Sequence, residues 1–175
     1  DIDIPGDISS AAFFIVAGLI TKGSEILIKN VGINPTRTGI IDLLLKMGGD
    51  IKLLNKRESS GEPVADILVR SSELHGIEIN KDDIPKTIDE IPILCIVAAF
   101  ADGETKITGA EELRVKESDR IRTMAEGLTR LGVDVKELPD GMTIKGKRQK
   151  HAPTGFKQGA KGKRGIRVNS YGDHR

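Results

Sequence analysis

The densest chemistry in these 175 residues lies in one short run, Arg114-Val115-Lys116-Glu117-Ser118-Asp119-Arg120. Two cations, Lys116 and Arg120, flank the carboxylate of Glu117 just where a helix is predicted to begin. The first-turn N–H groups of a helix carry partial positive charge, and cations added there make a site for phosphate or carboxylate. Glu117 between them serves as an ion-pair partner or as a proton carrier. The same spacing also suits a solvated charge run at a helix end. A second acid, Asp89 in Thr87-Ile88-Asp89-Glu90-Ile91-Pro92, stands at the mouth of an apolar helix, where it either caps the helix or acts as a base. The third constellation is Ser170-Tyr171-Gly172-Asp173-His174-Arg175. Arg175 can grip an anion bidentately there, or the segment is a loose terminus.

Other chemistries lack their patterns. There is no glycine-rich phosphate loop, no dinucleotide fingerprint, no His-Glu-x-x-His pair and no calcium loop. His75, His151 and His174 are dispersed without metal-ligand spacing, so neither a metal nor a cofactor is expected. Cys95 is the sole cysteine, which rules out a disulfide framework. No apolar run reaches the roughly 18 residues of a membrane span, and Asp1-Ile2-Asp3 lacks a signal-peptide pattern. A cytoplasmic globular protein is expected.

Net charge is +1, but its distribution is uneven. Residues 145–175 carry ten Lys/Arg and one acid, whereas the first 144 carry 17 basic and 25 acidic residues. A basic tail invites nucleic acid as an alternative partner. Lys145–Arg167, however, has one aromatic residue, Phe156, and base stacking wants more.

The elements that must position these groups alternate between helical and strand periodicity. Ser9 or Ser10 is predicted to cap a helix running to about Ile20, with Asp7 near its positive end. A strand at Glu25–Lys29 follows. A second helix opens at Thr36 or Thr38, with a stripe of Ile40, Ile41, Leu44, Leu45 and Met47. Strands at Ile51–Leu54 and Ala65–Val69 are joined by a polar turn from Asn55 to Pro63. The order then recurs: a helix from Ile91 to Phe100, a strand at Thr105–Thr108, a helix from Asp119 to Leu131, and a hairpin of Val133–Leu138 and Met142–Ile144.

Ile15-Val16-Ala17 matches Ile96-Val97-Ala98 at an offset of 81, and Met47-Gly48-Gly49-Asp50-Ile51 matches Leu131-Gly132-Val133-Asp134-Val135 at 84. Two copies of one helix–strand–helix–hairpin unit account for this, chance likeness of amphipathic helices being the alternative. The change in offset puts extra residues in the loop Gly109–Ser118 of the second copy, and insertions of this kind gather at functional loops.

Ile88-Asp89-Glu90-Ile91-Pro92, Leu113-Arg114-Val115-Lys116-Glu117-Ser118-Asp119-Arg120 and Tyr171-Gly172-Asp173-His174-Arg175 together resemble the 3-phosphoshikimate 1-carboxyvinyltransferase family, also called 5-enolpyruvylshikimate-3-phosphate synthases. Gly6-Asp7-Ile8-Ser9-Ser10-Ala11 resembles the family's segment at the return into its first domain. The resemblance implies an α/β (α+β) fold of repeated helix-and-sheet units, the enolpyruvyl transferase fold or inside-out α/β barrel, with three units per domain and the active site between two domains. About two units of one domain are expected: 1–80, then 81–146, with 147–175 a basic linker and the start of a third.

The resemblance also implies the activity, transfer of the enolpyruvyl group from phosphoenolpyruvate to the 5-hydroxyl of shikimate 3-phosphate in the shikimate pathway to chorismate and aromatic amino acids, the step glyphosate inhibits. By the same resemblance Asp89 is the base for the 5-hydroxyl, Lys116 contacts both substrates, and Glu117 handles the proton at the methylene carbon. Arg120 and Arg175 bind phosphoenolpyruvate. Glu112 stands where some members have an Asn that contacts shikimate 3-phosphate, and it is left out of the site. Family members continue past Asp-His-Arg and carry a second domain. The isolated 175 residues are therefore expected to be inactive and the complete enzyme monomeric.

Overall fold

Asp7 starts the first helix. Its backbone is extended, and its carboxylate accepts the Ser10 N–H at 2.9 Å and the Ser10 hydroxyl at 3.0 Å, opening α1 (Ile8–Ile20). The predicted caps Ser9 and Ser10 do not take that role, because Ser10 donates to Asp7 and Ser9 is buried. α2 (Gly39–Lys46) follows Thr38, whose hydroxyl makes no capping bond. α3 (Ile91–Phe100) has Pro92 in its first turn, where a missing N–H costs nothing. α4 (Arg120–Arg130) is capped by Asp119, which accepts the Arg122 N–H at 3.0 Å. This computed structural model describes residues 4–147. Arg175, the third unit and the basic run beyond Lys147 lie outside the described residues.

Burial follows helical spacing with two exceptions. In α2 the buried positions are Ile40, Ile41, Leu43 and Leu44, with Met47 just after it. Leu45, placed in the stripe by the sequence, is 46% exposed, because residues 40, 43, 44 and 47 already fill the face that period 3.6 turns inward. Leu131 likewise falls past the end of α4 and is exposed, whereas Ile121, Ala125 and Leu128 are buried.

Two sheets back the helices. β1 (Glu25–Gly32), β2 (Asp50–Ser59) and β3 (Glu62–Arg70) form an antiparallel sheet in the order β1-β3-β2. The polar stretch expected as a turn is mostly strand, an exposed arm that turns only at Ser60 and Gly61, both at positive φ. Solvation of that arm explains its polarity. β4 (Glu78–Ile79), β5 (Gly103–Ile107), β6 (Asp134–Leu138) and β7 (Gly141–Gly146) form the second sheet in the order β4-β5-β7-β6, with β4 parallel to β5 and the other pairs antiparallel.

The halves share a path. Gly6, before α1, bridges Val31 of β1 in parallel, as β4, before α3, pairs with β5 in parallel. In each half a helix links those parallel segments, and a second helix leads to a hairpin whose last strand takes the sheet centre. α1 packs against α3, and a single apolar core joins both halves.

Candidate functional site

Helix starts from both halves meet at one end of the molecule. The first turn of α1 brings Ser9 to Glu90, the residue before α3, and the Ser9 hydroxyl donates to the Glu90 carboxylate. The start of α2 lies against the loop before α3, since a Cβ added at Gly39 would stand 2.5 Å from Thr87 Cγ2 and 2.9 Å from the Lys86 carbonyl oxygen. The start of α4 brings Arg120 to Asp89, with Nη1 3.8 Å from Oδ1. Each terminus adds partial positive charge to the same region.

Arg120 is the centre of this arrangement. It is the first residue of α4, is 4% exposed, and also holds Glu117 through Nη2–Oε2 at 2.6 Å. A buried cation at the positive end of a helix is doubly unfavourable without anions beside it. Asp89 and Glu117 supply them, and a bound carboxylate or phosphate would serve equally. Three of the four described site candidates, Asp89, Glu117 and Arg120, are thus joined through one guanidinium. Lys116 follows the 3-10 turn Glu111–Val115 and pairs with Glu112 at 2.6 Å. Arg175 lies outside the described residues.

Arg114 builds the loop that carries Lys116 and Glu117. Its Nε donates to the Pro139 carbonyl at 2.6 Å and its Nη2 to the Leu138 carbonyl at 2.6 Å. It also pairs with Asp119 at 2.8 Å and with Glu137 at 2.9 Å. Burial alone would lower its pKa, but the bonds to Glu137 and Asp119 outweigh that and raise it. One side chain therefore ties the β6–β7 turn to the cap of α4. Beside the loop an open depression of about 390 Å³ is lined by Glu117, Ser118, Asp119, Arg122 and Thr123. Asp89 and Lys116 are not among its lining residues.

Asp7, the cap of α1, is linked to the same region through Arg37. Partial burial works to raise its pKa, but hydrogen bonds from Ser10 and Ser9 and the charge of Arg37 hold it below the ordinary carboxylate value. Arg37 approaches Asp7 to 4.0 Å and donates to the Ser9 hydroxyl at 2.9 Å.

Several of these residues were not singled out from sequence for a role at the site: Ser9, Arg37, Glu90, Glu112 and Arg114. Glu112 carried a signal, since it stands four residues before Lys116, ion-pair spacing on a helical turn. Ser9 and Glu90 carried a subtler one. They are 81 residues apart, the offset that relates Ile15 to Ile96. Among the described residues no group of three or more His, Cys, Asp or Glu is arranged to hold a metal ion, and no helix is long and apolar enough to cross a membrane.

Comparison with known proteins covers the whole chain. The family described as EPSP synthase (3-phosphoshikimate 1-carboxyvinyltransferase) matches residues 1–175. The chain is 57% identical over 175 residues to the 3-phosphoshikimate 1-carboxyvinyltransferase of Geotalea uraniireducens and 57% identical to that of Geobacter metallireducens, covering 100% of this chain and 38% of each relative. An EPSP synthase structure from Acinetobacter baumannii superposes with a TM-score of 0.82 at 52% identity, over 85% of this chain and 34% of that one. The sequence in hand thus spans little more than a third of these relatives.

Proposed function

This chain belongs to the EPSP synthase family, and from that membership we propose that it forms one wall of an active site that transfers the enolpyruvyl group of phosphoenolpyruvate to the 5-hydroxyl of shikimate 3-phosphate. The observation that carries the proposal is Arg120, buried at the start of α4 with Asp89 and Glu117 against it. Such a group holds a carboxylate tightly and keeps two proton-transfer groups within reach of whatever it holds.

The chemistry divides between the two acids. Asp89 accepts the proton of the 5-hydroxyl as its oxygen bonds to C2 of phosphoenolpyruvate, and Glu117 gives a proton to C3, turning the methylene into a methyl. In the second step Glu117 takes a proton back from that methyl, the double bond re-forms between C2 and C3, and the bond from C2 to the phosphate oxygen breaks. Phosphate leaves with the proton that Asp89 took from the hydroxyl, which restores both acids, and no cofactor takes part. Lys116, Arg120 and Arg175 neutralise the anionic substrates and the charge that develops on the departing phosphate. Once the carboxylate of phosphoenolpyruvate engages Arg120, the Glu117 carboxylate is released from its 2.6 Å contact, takes up a solvent proton and delivers it to C3.

The remaining substrate contacts belong to a second domain, and we place the complete enzyme in the cytoplasm as a monomer. The path shared by the two halves supports reading residues 1–80 and 81–146 as two units, and the family resemblance supports reading 147–175 as a basic linker and the start of a third. The experiment uses a full-length enzyme in which residues 1–175 replace the matching segment of the Geotalea uraniireducens relative. Phosphate and enolpyruvyl product should form together from the two substrates. Phosphate release without that product would refute the proposal.

A further inference from the structure

Among the described residues, six polar or charged side chains are buried, and three of them are linked to Asp89: Arg120 pairs with it, Glu90 follows it in the chain, and Ser9 donates to Glu90. Arg120 belongs to the site already described. Ser9 and Glu90 do not, and the reaction scheme gives them nothing to do. Glu90 is 3% exposed and makes no capping bond to its own helix. Its carboxylate instead reaches across to the first half, where the Ser9 hydroxyl donates to it and Arg37 donates to Ser9 at 2.9 Å. A carboxylate taken out of water at this depth costs several kcal/mol unless it is held by donors, so the chain Arg37–Ser9–Glu90 has a defined direction and leaves little freedom. The tight approach of Gly39 to Lys86 and Thr87 fixes the same loop to the first half at a second point.

Resting on the functional reading above, we propose that Arg37, Ser9 and Glu90 form a clamp that positions the neighbouring Asp89, so that the first half of the chain aims the base carried by the second. Glu90 is a positioning residue. Its backbone is continuous with that of Asp89, its carbonyl accepts the first bond of α3 from the Leu94 N–H at 3.0 Å, and its side chain is anchored on α1. Asp89 is thereby held between two fixed points, Glu90 on one side and Arg120 on the other. Loss of the anchor lets the Asp89 carboxylate drift, and misplacement by about 1 Å is enough to slow a proton transfer on the order of 100-fold. Substrate binding, carried by the cations, is left alone.

The test places Glu90→Ala, Glu90→Gln and Ser9→Ala in the full-length enzyme described above. Glu90→Ala and Ser9→Ala should lower kcat by about 10- to 100-fold with KM for both substrates within about twofold. Glu90→Gln keeps an acceptor for the Ser9 hydroxyl and should restore kcat to within a few-fold of the parent. Unchanged kcat in Glu90→Ala would overturn the clamp. So would a KM rise with falling thermal stability that Glu90→Gln does not rescue, which marks a purely structural role. A parent enzyme without turnover would instead overturn the functional reading, and this role with it.

Discussion

Arg120 occupies a place where a cation survives only in anionic company. Water reaches little of it, the dipole of α4 opposes it, and Asp89 and Glu117 compensate both effects. Removing its fork should be felt mainly by the substrate carboxylate. Arg120→Lys keeps the charge but loses bidentate geometry, and we expect KM for phosphoenolpyruvate to rise about 10- to 100-fold, measured by steady-state kinetics in the full-length enzyme. Glu117 has a signature of its own. Addition across the C2–C3 bond puts a solvent proton on C3, so turnover in heavy water should leave deuterium in the product methylene. Glu117→Gln should abolish that incorporation along with turnover, as read by mass spectrometry. The residue types and spacing of Lys116, Glu117 and Arg120 made this loop legible in sequence, because a cation–acid–cation run at a helix start is local. Glu90 and Ser9 were not legible in that way. Their contact spans 81 residues and exists only once α1 and α3 pack together.

Elements hold these residues through devices of unequal visibility. The helix expected from Asp119 to Leu131, read from local chemistry, holds within a residue at each end, with Gly132 at positive φ just beyond it. The β2–β3 arm was misread because its polar residues look like a turn when both faces of a strand are solvated. At its base Asn30 and Asn55 adopt positive φ where β1 and β2 bulge, and Asp66 on the strand between them accepts the Asn30 N–H at 2.8 Å and the Asn55 side-chain N–H at 2.9 Å. Those two bonds, with help from Arg57 and Lys29, hold Asp66 below the ordinary carboxylate value despite some desolvation. A depressed folded-state pKa gives stability that is present above the unfolded value of about 4 and is lost as pH falls through the folded value. Asp66→Asn should therefore flatten the acid limb of the stability–pH curve, measured by urea unfolding between about pH 2 and 5. Cys95 offers a second check on packing. It is buried in α3 against Met142, and desolvation pushes its thiol pKa up to about 12. A disulfide reagent at neutral pH should label it only after unfolding.

The described residues form two halves that share a path and a core, with the site at the end where both contribute helix starts. The offset matches led to the expectation of a repeat but not of the parallel segments before α1 and α3, which are too short to show a strand period. Residues 1–175 span 38% of the relatives' length, and the scheme needs anion-binding groups from a second domain. The purified chain alone should give no enolpyruvyl product, even if it binds phosphoenolpyruvate weakly. The central claim is that this chain supplies the base and the cation of the transfer. The most direct measurement is product formation by the full-length enzyme carrying residues 1–175, compared with its Asp89→Asn and Lys116→Ala variants under saturating substrates. We predict robust turnover in the parent and a loss of at least about 100-fold in each variant, with circular dichroism unchanged. Near-parental turnover in both variants would contradict it.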